Sequence, residues 1–108
     1  WYYSKMVATY YSTIGRPLCF TELGYLSPDG YGGLPGNFWW GANTSVDEQA
    51  QWLAESAVMA SQSGQVRLMI IFNVDFTVWE PDDPQAGYAM IRPGGACPAC
   101  AALAGVQP

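Results

Sequence analysis

The chain contains no histidine and has few basic residues. Lys and Arg number 4 against 9 Asp and Glu, so the formal net charge is −5. The cations Lys5, Arg16, Arg67 and Arg92 are scattered singly, and without a basic patch to neutralise phosphates nucleic-acid binding is not expected. The absence of histidine excludes Ser-His-Asp triads, Cys-His pairs and most zinc sites within this stretch. Any acid–base chemistry here must therefore use carboxylates.

Long apolar runs are also missing. The longest, such as residues 68–72, are far shorter than the ~20 residues that cross a bilayer, so no membrane span is expected. Half of the residues are nevertheless apolar and 15% are aromatic, which argues against disorder and is a high apolar content for so short a chain. The chain opens on Trp1 without the features of a signal peptide. We therefore expect residues 1–108 to be a fragment of a longer protein.

Hydrophobic periodicity, together with helix-capping and turn residues, predicts helices that alternate with buried strands. Ser45 and Glu48 form a capping box, and Gly15 and Gly64 are typical helix-ending residues. The predicted elements are a helix over 1–14, a strand over 18–21, a loop over 25–43, a helix over 45–64, a strand over 67–76, a loop over 77–87 and a helix over 98–104. Two buried strands separated by a helix form a parallel βαβ unit. Glu22 lies at the C-terminal end of the first strand.

The segment Phe-Thr-Glu-Leu-Gly at residues 20–24 resembles the motif that ends the seventh strand of clan A glycoside hydrolases. The downstream order is similar as well, with an aromatic loop, a helix, a strand that ends in a polar-aromatic patch, an Arg-Pro-Gly-Gly turn and a Pro-Ala-x-x-Ala-Leu helix. The resemblance implies an α/β fold that is the C-terminal portion of a (β/α)₈ TIM barrel, from the seventh strand to the final helix. Residues 1–108 would then be the C-terminal fragment of a single catalytic barrel.

The same resemblance implies retaining hydrolysis of O-glycosidic bonds with Glu22 as the nucleophile. In that reaction one carboxylate attacks the anomeric carbon, while a second carboxyl, roughly 5–5.5 Å away, protonates the leaving oxygen and later activates water. The family's acid/base glutamate ends the fourth strand, which lies outside this chain. We therefore expect the fragment alone to be inactive and the remainder of the barrel to be its partner. The alternative reading of Glu22 is a strand-end carboxylate that pairs with an arginine or caps a backbone NH.

Several aromatic and polar residues are candidates for contacts with a carbohydrate substrate. Asn73 and Asp75 alternate along the second strand and are able to bond sugar hydroxyls, although a buried, satisfied polar pair is an equal alternative. The adjacent Asp82 and Asp83 supply too few ligands for calcium, so no metal is expected, and no cofactor is expected either. Aromatic side chains stack on sugar rings but also fill cores and close loops. The aromatic candidates are Tyr25, Trp39, Trp40 and Trp79.

Cys97 and Cys100 form a CxxC motif at the start of the last predicted helix. A helix start lowers the pKa of a thiol, so a thiol-redox module is one alternative function. A single CxxC is only half a zinc site, and the motif ends the chain instead of following a first strand. We therefore prefer a local disulfide in an exported enzyme. Cys19 is expected to be a small buried hydrophobe. The remaining alternative is a non-catalytic carbohydrate-binding or structural relative of the barrel.

Overall fold

In the part of the chain that the structure describes, three α-helices alternate with two strands in the order that the sequence predicts. The computed structural model describes residues 2–34 and 36–106. Two short 3-10 helices, Gly36–Gly41 and Gln85–Tyr88, lie in the loops that follow the strands. The regular elements are α1 (Tyr3–Ile14), β1 (Leu18–Leu23), α2 (Val46–Ser63), β2 (Val66–Ile71) and α3 (Pro98–Ala104).

The helix boundaries follow from local chemistry. The Ser45 hydroxyl accepts the backbone NH of Glu48 at 3.1 Å, and the Glu48 carboxylate accepts the backbone NH of Ser45 at 2.8 Å. This capping box satisfies two of the free NH groups at the start of α2. α1 and α2 end at Gly15 and Gly64, whose φ angles of 65° and 64° lie in the left-handed region that glycine adopts readily.

β1 and β2 pair directly with each other as a parallel, two-stranded sheet. The prediction that the chain is the C-terminal part of a (β/α)₈ barrel is wrong, because the described residues form a small α/β unit in which each strand keeps one unpaired edge. The alternation of strand and helix that suggested the barrel is common to many α/β folds. A local motif and a βαβ order do not determine how many strands the sheet contains.

The hydrophobic core lies on the helical side of the sheet and is divided in two. Tyr3 and Val7 of α1 and Ala60 of α2 form one cluster, against which the sheet residues Phe20 and Met69 pack. A second cluster joins α2 to α3 and consists of Ala50, Leu53 and Ala99. α2 therefore connects the two halves of the core.

The opposite face of the sheet is exposed. Cys19 pairs with Leu68, next to the core-facing pair of Phe20 and Met69. Leu68 and Ile70 are 47% and 49% exposed, and Cys19 is an exposed free thiol. The prediction that Cys19 is buried is wrong, because successive strand residues alternate between the two faces and only one face carries helices.

β2 is shorter than predicted, since it ends at Ile71 instead of residue 76. Beyond this point the backbone bonds to a later part of the chain: the NH of Asn73 donates to Tyr88, and the NH groups of Met90 and Ile91 donate to Asn73 and Val74. This pairing fixes the loop after β2 against residues 88–91. Among the helices of the described residues, none is both long and apolar enough to cross a membrane.

Candidate functional site

Glu22 is the penultimate residue of β1, and its side chain is exposed. It lines a groove of about 510 Å³ between α1 and the outer edge of β1, together with Tyr10, Ile14, Phe20 and Thr21. Within the described residues the Glu22 carboxylate has neither an arginine partner nor a backbone NH to cap. Among the described residues that line this groove, Glu22 is also the one carboxylate. The groove therefore presents a single, unpaired acid.

A second cavity, of about 480 Å³, is surrounded by aromatic side chains. It lies between the start of α1, the residues that follow β1, the 3-10 helix Gly36–Gly41 and α2. None of the described side chains that line it carries a formal charge, and Thr44 adds a hydroxyl to its wall. The aromatic residues of this cavity, called the aromatic cavity below, are Tyr2, Tyr3, Tyr25, Trp40 and Trp52.

Tyr25 is fixed at the base of the aromatic cavity by contacts with α2. Its hydroxyl shares a hydrogen bond of 2.9 Å with the Ser56 hydroxyl, and its ring meets Trp52 edge to face at 5.4 Å between centroids. Burial raises the pKa of Tyr25, the bond to Ser56 lowers it, and the nearby Glu55 charge raises it again. Tyr25 is therefore held as a neutral, oriented ring.

Trp40 and its neighbour Trp39 differ in what surrounds them. Trp40 is 55% exposed at the rim of the aromatic cavity, and its ring lies 6.4 Å from that of Phe38. Trp39 is 75% exposed. Of the three tryptophans predicted to bind substrate, Trp40 is thus the one that lines a cavity together with Tyr25.

Trp79, in the loop after β2, stacks against a residue of the loop after β1. Its ring stacks on Tyr31 with 4.7 Å between centroids and an interplanar angle of 18°. The Arg92 guanidinium lies 5.0 Å from the centroid of the same Tyr31 ring. Trp79 also lines a cavity of about 330 Å³ beside Glu80, which is a different place from the groove of Glu22.

Arg92 is a residue whose role the sequence did not indicate. It is 6% exposed, and burial lowers the pKa of its guanidinium, an effect that Tyr31 and Asp29 oppose. Its two terminal nitrogens donate to the carbonyls of Ser27, Asp29, Gly87 and Ala89 at 2.6 to 3.2 Å. The guanidinium therefore ties the loop after β1 to the loop after β2.

Gln49 of α2 makes a second link between the same two loops. Its side-chain amide donates to the carbonyl of Tyr25 at 2.7 Å and to the carbonyl of Gly87 at 2.9 Å. Gly87 is packed so closely that a Cβ would collide with the Leu26 side chain and the Ser27 carbonyl. We call Arg92, Gln49 and their carbonyl acceptors the loop clamp.

Asn73 and Asp75 do not form the polar pair that strand alternation suggested, because both lie beyond the end of β2. Asn73 organises its own loop: its amide donates to the carbonyl of Gln85 at 3.1 Å, and its side-chain oxygen accepts the NH of Phe76 at 2.9 Å. Asp75 is exposed. The structure thus places Asn73 in a structural role and leaves Asp75 in solvent.

Cys97 and Cys100 are joined by a disulfide, with 5.2 Å between their Cα atoms. Cys97 is the N-cap of α3, and its sulfur accepts the NH of Cys100 at 3.2 Å. Ala99, between the two cysteines, packs against Leu53 of α2. The disulfide therefore closes the first turn of the helix that completes the second core cluster.

The predicted site residues that line cavities are thus distributed over three places instead of one pocket, although the groove of Glu22 and the aromatic cavity adjoin each other because Met6 lines both. Glu22 lines the groove beside α1, Tyr25 and Trp40 line the aromatic cavity, and Trp79 lines the cavity beside Glu80. Within residues 2–34 and 36–106, no group of three or more Cys, Asp or Glu side chains is arranged to hold a metal ion.

Comparisons with known proteins provide no family for the chain. No family model matches it, and neither the curated proteins nor the solved structures include a match. The assignment of a function therefore depends on the chemistry of these three places.

Proposed function

We propose that the protein takes part in the retaining hydrolysis of O-glycosidic bonds and that Glu22 is the nucleophile. The observation that carries the proposal is an exposed, unpaired carboxylate near the C-terminal end of a parallel strand, in an open groove. In open α/β sheets ligands bind outside the carboxyl ends of the strands. The resemblance of residues 20–24 to the clan A motif supports the same residue.

The chemistry needs a carboxylate whose oxygen is free to attack. The Glu22 oxygen would form an ester with the anomeric carbon while the bond from that carbon to the leaving oxygen breaks, and an acid would give the leaving oxygen its proton. Water would then cleave the ester and regenerate Glu22. An oxygen already occupied by an arginine would be a weaker nucleophile, and Glu22 has no such partner within the described residues.

The acid/base carboxyl would belong to a residue outside this lining, because Glu22 is the one carboxylate among the described residues of the groove. Retaining hydrolysis requires the two carboxyls to be roughly 5–5.5 Å apart. The partner must therefore come from another segment or another chain. Hydrolysis of an unactivated glycoside depends on that partner, whereas the first step with a good leaving group does not.

This difference defines the experiment. A 2,4-dinitrophenyl 2-deoxy-2-fluoro-β-glycoside has a leaving group that departs without a proton, and its fluorine slows hydrolysis of the ester. We expect the protein to gain the mass of one fluoroglycosyl group on the peptide that contains Glu22. Glu22→Gln should remain unlabelled, because an amide at this position cannot act as the nucleophile. Glu55→Gln, which changes an exposed carboxylate on α2, is the matched control and should be labelled like the wild type.

Two results would refute the assignment. One is the absence of any adduct with glucosyl, galactosyl and xylosyl reagents under conditions in which the protein is folded. The other is equal labelling of the wild type and of Glu22→Gln, which would mean that a different carboxylate reacts.

A further inference from the structure

The aromatic cavity has a composition that the proposed reaction at Glu22 does not explain. Five aromatic rings line it, and about 480 Å³ is within the range of small-molecule sites in proteins. Tyr2 and Trp40 at its rim are 81% and 55% exposed. Rings of this size are usually more buried, and here they remain accessible at the mouth of a concave site.

The base of the cavity is preorganised. Tyr25 is held by its hydrogen bond to Ser56 and by its edge-to-face contact with Trp52. The carbonyl of Tyr25 is in turn fixed by the Gln49 amide. A ligand that enters would therefore meet ring positions that α2 has already set, which reduces the entropy lost on binding.

The chemistry of the lining restricts the ligand. The protein carries a net charge of −5, yet the residues of 2–34 and 36–106 that line this cavity include no Asp, Glu, Lys or Arg. An ionised ligand would lose hydration without gaining an opposite charge, so the cavity favours a neutral one. A purely apolar ligand would leave unused the polar tips of Tyr2 and Trp40 and the hydroxyl of Thr44.

We infer that the aromatic cavity binds a neutral pyranose ring. Such a ring has CH-rich faces that pack on aromatic rings, and hydroxyl groups around its edge that bond to phenol, indole and Thr44 donors and acceptors. Met6 lines both this cavity and the neighbouring groove that contains Glu22, but Glu22 itself is not among the residues that line the cavity. Binding in the cavity therefore does not depend on the Glu22 carboxylate. It is a second carbohydrate site whose existence is independent of the proposed nucleophile.

The test is a titration followed by the indole NH signals in two-dimensional NMR spectra, with methyl β-glucopyranoside, methyl β-galactopyranoside and methyl β-xylopyranoside as probes. We expect at least one probe to shift the Trp40 and Trp52 signals in a saturable way. Trp40→Ala should weaken that binding about tenfold, the effect of one lost aromatic contact. Trp39→Ala, which removes the more exposed neighbour, should leave the affinity unchanged. Glu22→Gln should also bind like the wild type, which separates this site from the proposed nucleophile.

The wild-type titration keeps the inference testable even if a variant fails to fold. Saturation by benzene, with no shift from any of the three glycosides, would overturn it and would identify the cavity as a purely apolar site. Binding that is the same in Trp40→Ala and in the wild type would overturn it as well, because the sugar would then lie elsewhere.

Discussion

Among the residues that the structure describes, the loops after β1 and β2 are fixed by side-chain hydrogen bonds, whereas the groove around Glu22 and the outer face of the sheet are not. The loops after β1 and β2 are joined by the loop clamp, in which Arg92 and Gln49 donate hydrogen bonds to backbone carbonyls. Within the described part of the chain, the groove around Glu22 has no comparable network. On the outer face of the sheet the apolar side chains Leu68 and Ile70 are about half exposed. We therefore expect substitutions in the loop clamp to lower the free energy of unfolding more than substitutions at Glu22 or on the exposed sheet face.

We expect the largest loss of stability from Arg92→Met. Loss of the guanidinium removes the side-chain donor from the carbonyls of Ser27, Asp29 and Ala89. The Gly87 carbonyl also loses its bond to Arg92 but still accepts from the Gln49 amide and the Ser27 NH. We expect the free energy of unfolding to fall by about 3 kcal/mol or more. Urea denaturation measures it. Arg67→Met, which removes an exposed arginine from β2, is the control and should change stability by less than about 0.5 kcal/mol. Equal stability of the two variants would contradict this expectation. It would show that the desolvation of the Arg92 guanidinium offsets the stabilisation from its hydrogen bonds.

A smaller effect is expected from Gln49→Leu, which preserves the size of the side chain but removes both donors. The Gly87 carbonyl keeps its bond to Arg92, so the main loss falls on the Tyr25 carbonyl, and we expect about 2 kcal/mol of destabilisation. Gln51→Leu, on the exposed side of α2, should be close to neutral. If both variants unfolded at the same urea concentration, Gln49 would not be part of the clamp.

Ser45→Ala tests the capping box at the start of α2, which lies outside the loop clamp. The substitution removes the acceptor for the Glu48 NH in the capping box, and a loss of about 1 kcal/mol is expected. Ser61→Ala, an exposed position within α2, provides the reference for a change of serine to alanine that removes no cap. A loss as large as that of Arg92→Met would mean that the start of α2, and not the clamp, limits stability.

The smallest effect should come from the exposed sheet face. Leu68→Thr replaces a half-exposed side chain with one of good strand propensity, and we expect less than about 0.5 kcal/mol. The same substitution at Leu53, which is 1% exposed in the second core cluster, should cost about 3 kcal/mol. A large loss at Leu68 would contradict the exposed sheet face that the structure describes.

The sequence predicted the local features well, because their signals are local. Ser45 with Glu48, and Gly15 and Gly64, determine where helices begin or end through bonds within a few residues. The end of β2 was missed because it depends on a pairing between residues 73–74 and residues 88–91. No periodicity in the strand itself encodes such a pairing.

The candidate site was harder to predict than the elements. In the sequence Arg92 is one of four scattered cations. Its acceptors are backbone carbonyls, and every residue has one, so no residue type identifies them. The sequence predicts Tyr25 and Trp40 as substrate contacts from their aromatic side chains alone. Their common cavity forms only when α1 and α2 pack beside the loop after β1. The barrel prediction rests on the motif of residues 20–24 and on the order of elements after it, and neither feature encodes the number of strands in the sheet.

The most direct test of the central claim is a crystal structure of the protein after reaction with the dinitrophenyl fluoroglycoside. The proposed mechanism predicts continuous density from a Glu22 carboxylate oxygen to the anomeric carbon, with the sugar lying in the groove between α1 and β1. A sugar bonded to any other side chain, or a groove that stays empty while the reagent is consumed, would contradict it.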